Sequence, residues 1–282
     1  MYTSDAIYEI LNNNTGHEAI DWLNVKTTAL ETSNSARDLF MTYSLLASNF
    51  DKTRGVNYGE HPNEIMGIFK THSADLLQVA RIYFLTKVLE LNPDFYTREV
   101  AKIIEVADTT ELETFLRYIT ILPESESFKH AAVEALRTNI SIIFDAITLN
   151  NPYPALYFND QQWNQMYLKA AFMERDLSMI QSVDERANAD LTRIISDYAH
   201  ERWAASRKID PMFWRPVSKF MDDTLRTDMK RLLTSEDPTE NKAGALCCYY
   251  SADKDALALL ENHQELKKQV ASNKITWNTL KD

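Results

Sequence analysis

The chain has 282 residues, 45% of them hydrophobic and 25% charged, and carries a formal net charge of −11. That balance argues against nonspecific binding to nucleic acid or to an anionic membrane, both of which need clustered Lys and Arg. Only five glycines occur, too few for the turns of a doubly wound or all-β protein of this length, so composition points to helices joined by short connections.

In chain order, the start Met1-Tyr2-Thr3-Ser4-Asp5 lacks the basic region and apolar core of a secretory signal. No later stretch approaches the roughly 20 apolar residues of a membrane span. The cytoplasm is the expected location. Residues 49–62 hold two of the five glycines and a proline and read as an exposed loop. Apolar residues then recur at helical spacing: Val100, Ile103, Ile104 and Ala107; Leu112, Phe115, Leu116 and Ile119; Leu136, Ile140, Ile143 and Ile147. Thr110 and Glu113 read as a capping box opening the second of these stripes.

Pro152 and Pro154, separated by Tyr153, predict an extended backbone over 150–158 that no continuous helix crosses. Asn159, with Gln162 three positions on, predicts a capped helix whose one face carries Trp163, Met166, Tyr167 and Ala170. Asp210-Pro211 and Asp237-Pro238 read as an N-cap followed by the first helical residue. Ala243, Leu246, Cys247 and Tyr250 form one more stripe, followed by Leu257, Leu259 and Leu260 and by a helix around Leu266 and Val270. Cys247 and Cys248 are adjacent, where a disulfide would be strained and would close almost no loop, so they read as buried thiols in a reducing compartment.

Short helices on short connections lie antiparallel to their neighbours and bury their stripes in pairs. The expected fold is therefore all-α, with antiparallel helix pairs stacked as a HEAT-like solenoid. It forms a single elongated domain over 1–282, and any subdivision separates 1–149 from 150–282.

The helix expected over about 187–206 carries the chemistry-bearing residues. Leu191, Ile194, Ile195 and Tyr198 form its apolar stripe, while Asp190, Arg193, Asp197, His200 and Glu201 fall on another side at spacings where side chains meet. One reading is a solvated face laced with ion pairs. The other is a polar pocket with His200 as acid or base, Asp197 or Glu201 orienting it, and Lys169 or Arg186 holding an anion. Lys169 and Arg186 equally suit internal bridges to Asp184, Asp197 or Glu201, and Tyr153 and Trp163 suit core anchors as well as stacking platforms.

Several chemistries are excluded. His200-Glu201 begins the zinc motif H-E-x-x-H, but Ala204 stands in place of its second histidine, so no metal is expected. The neighbours Asp184-Glu185 and Asp222-Asp223 point apart on a helix and suit caps or surface charge. Ser178, Ser182 and Ser196 lack a nucleophile elbow, and neither phosphate-binding glycine pattern occurs, so no cofactor is expected.

The runs Asn151-Pro152-Tyr153-Pro154-Ala155, Trp163-Asn164-Gln165-Met166, Lys169-Ala170-Ala171-Phe172, Asp184-Glu185-Arg186-Ala187-Asn188 and Asp197-Tyr198-Ala199-His200-Glu201-Arg202-Trp203 are not demanded by helix packing. Together they resemble the signature of the EboA family, helical proteins found with enzymes of specialised-metabolite assembly and export in bacteria. The likeness runs from about Asn151 to Arg215. It departs at Ser206, where relatives are expected to carry glycine and where serine would permit a longer helix. The resemblance implies a gene neighbourhood with a membrane prenyltransferase, metal-dependent hydrolases and a sugar-phosphate cyclase, and it brings no catalytic residues with it.

Two functions are therefore expected. The first is a non-catalytic scaffold that holds proteins or intermediates of a metabolite pathway, prenylated or cyclitol-like, in a groove lined by Tyr153, Trp163, Asn164, Lys169, Arg186, Asn188, His200 and Trp203. The second is an enzyme acting on a phosphorylated or cyclitol-like molecule through His200. In a blander outcome the signature is structural, with Asn151, Asn164 and Asn188 satisfying irregular backbone.

Overall fold

The structure, a computed structural model, describes residues 3–58 and 64–281. Among them the chain is all-helical, with 17 α-helices, short 3₁₀ segments and no strand beyond a single bridge between Gly55 and Asp75. No helix is long and apolar enough to cross a membrane. The chain forms two compact units, Met1–Tyr157 and Phe158–Asp282.

The first unit is organised around the helix Leu76–Leu91. A capping box between Asp75 and Gln78 starts it, and residues on all of its faces are buried, including Arg81. A helix apolar all round must be covered all round. The helices Ser4–Asn14, His17–Ser33, Pro93–Ala101 and Thr109–Arg117 supply that cover. In a file of stacked pairs each repeat touches only its neighbours; here a helix near the start of the chain and one beyond residue 108 pack on the same central element.

Several local expectations change. The capping box of Thr109–Arg117 is formed by Asp108 and Glu111, not Thr110 and Glu113. Glu113 is instead buried, binding Arg117 Nε at 2.5 Å and accepting from Gln78 Nε2 at 3.0 Å. The stripe Leu136–Ile147 is broken: one helix ends at Ala135, the next runs Ser141–Thr148, and Ile140 between them is exposed. Of the loop over 49–62, residues 51–58 are irregular and mostly exposed, Phe50 is buried, and 59–62 lie outside the described residues.

The proline-bearing turn belongs to the first unit and is not extended. Asn150 takes a left-handed conformation with φ 53°, and Tyr153–Tyr157 forms a one-turn helix. Pro154 fits because the first turn of a helix has no use for its missing N–H. Asn151, buried, holds the turn in place: its Nδ2 donates to Leu116 O at 2.9 Å and Ala146 O at 2.8 Å, and its Oδ1 accepts from Tyr153 N at 2.9 Å. Tyr153 is a core anchor, fully buried, with its hydroxyl donating to Ser125 O at 2.7 Å.

In the second unit the expected caps are present. Asn159 and Gln162 form a capping box on Asp160–Phe172, whose buried face includes Trp163, Met166, Tyr167 and Ala170. Asp210 caps Pro211–Phe220, a 3₁₀ segment, and Asp237 caps Pro238–Tyr249. The helices Asp223–Leu233 and Pro238–Tyr249 approach closely at Gly244, where an added Cβ would stand 3.0 Å from Leu232 Cβ. Cys247 and Cys248 are buried free thiols on that second helix. Burial pushes Cys247 well above the usual thiol range and Cys248 up to about 12. Tyr250, expected in the same apolar stripe, is half exposed.

Candidate functional site

Asn188 caps the helix Ala189–Ala204, accepting from Leu191 N at 2.9 Å. Its buried face is Leu191, Thr192, Ile195, Ser196 and Ala199, rotated from the expected stripe so that Ile194 and Tyr198 are only partly covered. Asp190, Arg193, Asp197 and Glu201 are exposed, and Arg193 reaches Asp197 at 3.2 Å with both side chains in solvent. That is the solvated ion-pair face.

His200 takes neither Asp197 nor Glu201 as its partner. Its Nε2 donates to Asp228 Oδ1 at 2.7 Å, and Ser196 Oγ donates to Asp228 Oδ2 at 2.7 Å. Asp228 is buried while the His200 side chain is 50% exposed. One turn further along, Trp203 stacks on Trp214 with ring centroids 5.6 Å apart, and the Arg231 guanidinium lies 4.2 Å from the Trp203 ring centre. Asp228 was not anticipated, although it interrupts the apolar stripe Leu225, Met229 and Leu232, and a charge within a stripe marks a buried ion or hydrogen-bond partner.

Trp163, Asn164, Arg186 and Asn188 gather at the opposite end of this helix. Asn164 and Asn188 pair side chain to side chain. Arg186 donates to Phe158 O at 2.8 Å, reaches Asp160 at 3.3 Å and lies 5.0 Å from the centre of the buried Trp163 ring. None of its expected partners, Asp184, Asp197 or Glu201, is among these contacts. Lys169 is partly covered, and desolvation lowers its pKa. From Asn188 to His200 the helix rises about 18 Å. The expected groove therefore divides into two separate clusters, and Tyr153 lies in the core of the first unit.

Helix Ala189–Ala204 is not lengthened by Ser206. Ser206 adopts φ 55° just past the helix end, and Arg207 N donates back to Arg202 O at 2.8 Å. That is the left-handed closing turn that glycine favours.

The second unit also holds a concavity of about 440 Å³ that the sequence did not reveal. Asp184, Arg215, Lys219, Tyr250, Trp277 and Asn278 are among the residues lining it. Its volume falls in the range of small-molecule sites. Arg215 grips Asp184 with two bonds, Nε to Oδ1 at 3.0 Å and Nη2 to Oδ2 at 2.6 Å, which raises the guanidinium pKa. Lys219 Nζ donates to Asp184 O at 2.8 Å. Asp184 and Ala187 stand in one of the signature runs, but the residues that meet them here are far apart in the chain, and only tertiary packing groups them. Among the described residues no group of three or more His, Cys, Asp or Glu is placed to hold a metal ion.

The family model described as metabolite traffic protein EboA matches residues 3–218. The chain belongs to the EboA family. The EboA match takes in the whole first unit except its first two residues, and the second unit as far as Ser218. Within the concavity, Asp184, Arg215 and Ser218 lie inside the EboA span, whereas Lys219, Tyr250, Trp277 and Asn278 follow it. No curated protein and no solved structure matches the chain.

Proposed function

We propose that this EboA-family protein is a non-catalytic metabolite-binding protein that holds an intermediate for its pathway in the cytoplasm. The observation that carries this reading is the concavity lined by Asp184, Arg215, Lys219 and Trp277, which joins fixed charges to an aromatic wall in a volume suited to a small molecule. The family description, metabolite traffic, agrees with holding rather than converting. The intermediates implied by the family resemblance are prenylated or cyclitol-like, and a scaffold for pathway enzymes is the extended form of the same proposal. A HEAT-like stacking of helix pairs is not required by it.

Native mass spectrometry of protein recovered gently from its own cells tests the reading. A small molecule should accompany the wild type and be lost from a folded Trp277→Ala variant. Wild type recovered without any bound molecule, or with one that Trp277→Ala retains, overturns it.

The second reading is an enzyme with His200 as acid or base, and the 2.7 Å bond to buried Asp228 favours it because a carboxylate there fixes the ring. It needs an anion holder other than Arg186, and Arg231, stacked on Trp203, is a cation of this cluster. Conversion of a captured metabolite by wild type but not by His200→Ala would establish it in place of the first.

A further inference from the structure

Resting on that reading of the concavity, we infer that its ligand is an organic acid: a carboxylate or phosphate attached to a flat apolar body. The argument is an inventory of donors and acceptors around one space. Asp184 is the carboxylate in the lining, and both of its oxygens are already taken by Arg215. Its charge is thereby compensated within the protein, and each of its oxygens already accepts a charge-assisted bond.

The donors are not spent. The Asp184 pair uses Arg215 Nε and Nη2, and the described contacts assign no partner to Nη1. Lys219 gives one hydrogen bond to the main-chain oxygen of Asp184 and makes no ion pair among the described residues. Its ammonium retains donors and an uncompensated charge. Trp277 adds an indole N–H, while the Asn278 amide and the Ser218, Tyr250 and Thr276 hydroxyls can each donate as well as accept. A site with surplus donors and one net positive charge selects a ligand rich in acceptors and negative in charge.

The remaining walls set the ligand's body. Trp277 is partly exposed, Tyr250 half exposed and Pro216 buried, and all three line the cavity. Aromatic and proline side chains in one lining offer a flat apolar molecule more contact than they offer a hydrated sugar ring. Charge selection and shape selection thus fall to Lys219 and Trp277, both beyond the span that the family model matches.

Equilibrium dialysis of the full chain against naphthalene-2-carboxylate, 2-naphthyl phosphate and the neutral naphthalene-2-carboxamide tests this. Either anion, or both, should bind about tenfold more tightly than the amide, as expected for a charge-assisted contact. The stronger of the two tells carboxylate from phosphate. Lys219→Met, at an exposed position, should keep the fold and abolish the preference, while Trp277→Leu should weaken all three probes together. Equal binding of anions and amide, a preference that survives Lys219→Met, or no binding of any probe overturns the inference. A metabolite retained in native mass spectrometry under those outcomes would leave the holding function standing and remove only the acid class.

Discussion

The side-chain amides of Asn164 and Asn188 face each other and exchange both hydrogen bonds, Asn164 Nδ2 donating at 3.0 Å and Asn188 Nδ2 donating at 2.9 Å. Asn188 Oδ1 also caps the helix Ala189–Ala204 through Leu191 N. Two signature residues thus tie the second turn of Asp160–Phe172 to the start of Ala189–Ala204 and satisfy each other. Asn164→Ala and Asn188→Ala are each expected to lower stability by about 1–2 kcal/mol. The double variant should lose less than the sum, with a coupling of about 1 kcal/mol in urea unfolding. Simple additivity would show that the pair does not act as a unit.

Asn151 performs a comparable task in the first unit with three main-chain partners. Removing its amide leaves the oxygens of Leu116 and Ala146 and the N–H of Tyr153 buried without their bonds. Asn151→Ala should therefore cost about 3 kcal/mol, near the top of the range for a polar deletion. Asn151→Asp should fare no better, because a carboxylate cannot donate to two carbonyls. Denaturant midpoints of both variants check this.

Ser206 holds a left-handed backbone at φ 55° without the freedom of glycine. Ser206→Gly should raise stability by about 0.5–1 kcal/mol by relieving that conformation. Ser206→Val, branched at Cβ, should lower it. A rise in Tm for the glycine variant and a fall for valine is the expected pair.

His72 gives the first unit an acid-sensitive element. Burial, and then the positive Arg117 beside it, lower its pKa from 6.5 to about 4, while a main-chain bond to Asn150 opposes them. The native state holds the ring neutral while the unfolded chain protonates it at the higher pH. The stabilising contribution is complete above about pH 6.5 and is lost as pH falls toward about 4. Arg117, its partner Glu113 and the edge of Tyr118 are the groups around it. His72→Gln should flatten the fall in Tm between pH 7 and pH 5; an unchanged slope would assign it to other groups.

What the sequence disclosed was local. The caps Asn159, Asp210 and Asp237 were legible because a cap and its partner stand within three residues. Thr110 failed because Asp108, two positions earlier, offers the stronger acceptor. The all-helical class followed from scarce glycine, whereas the covering of Leu76–Leu91 on every side arises from helices distant in the chain that no local pattern links. At the candidate site the residue types were right and their grouping was not. His200 and Arg186 lie on one stretch of chain yet at opposite ends of a helix, whereas Asp228 and Trp277 reach their partners only through tertiary packing.

The neighbouring thiols of Cys247 and Cys248 turn that packing into a clock. A reagent that attacks thiolates finds neither sulfur while the helix Pro238–Tyr249 stays docked, since both are buried and held in the protonated form. Their labelling rate under native conditions therefore counts how often the second unit opens, with no probe introduced. A bound molecule that favours the closed form will slow the count in proportion to its occupancy, so occupancy can be followed before its chemical identity is known.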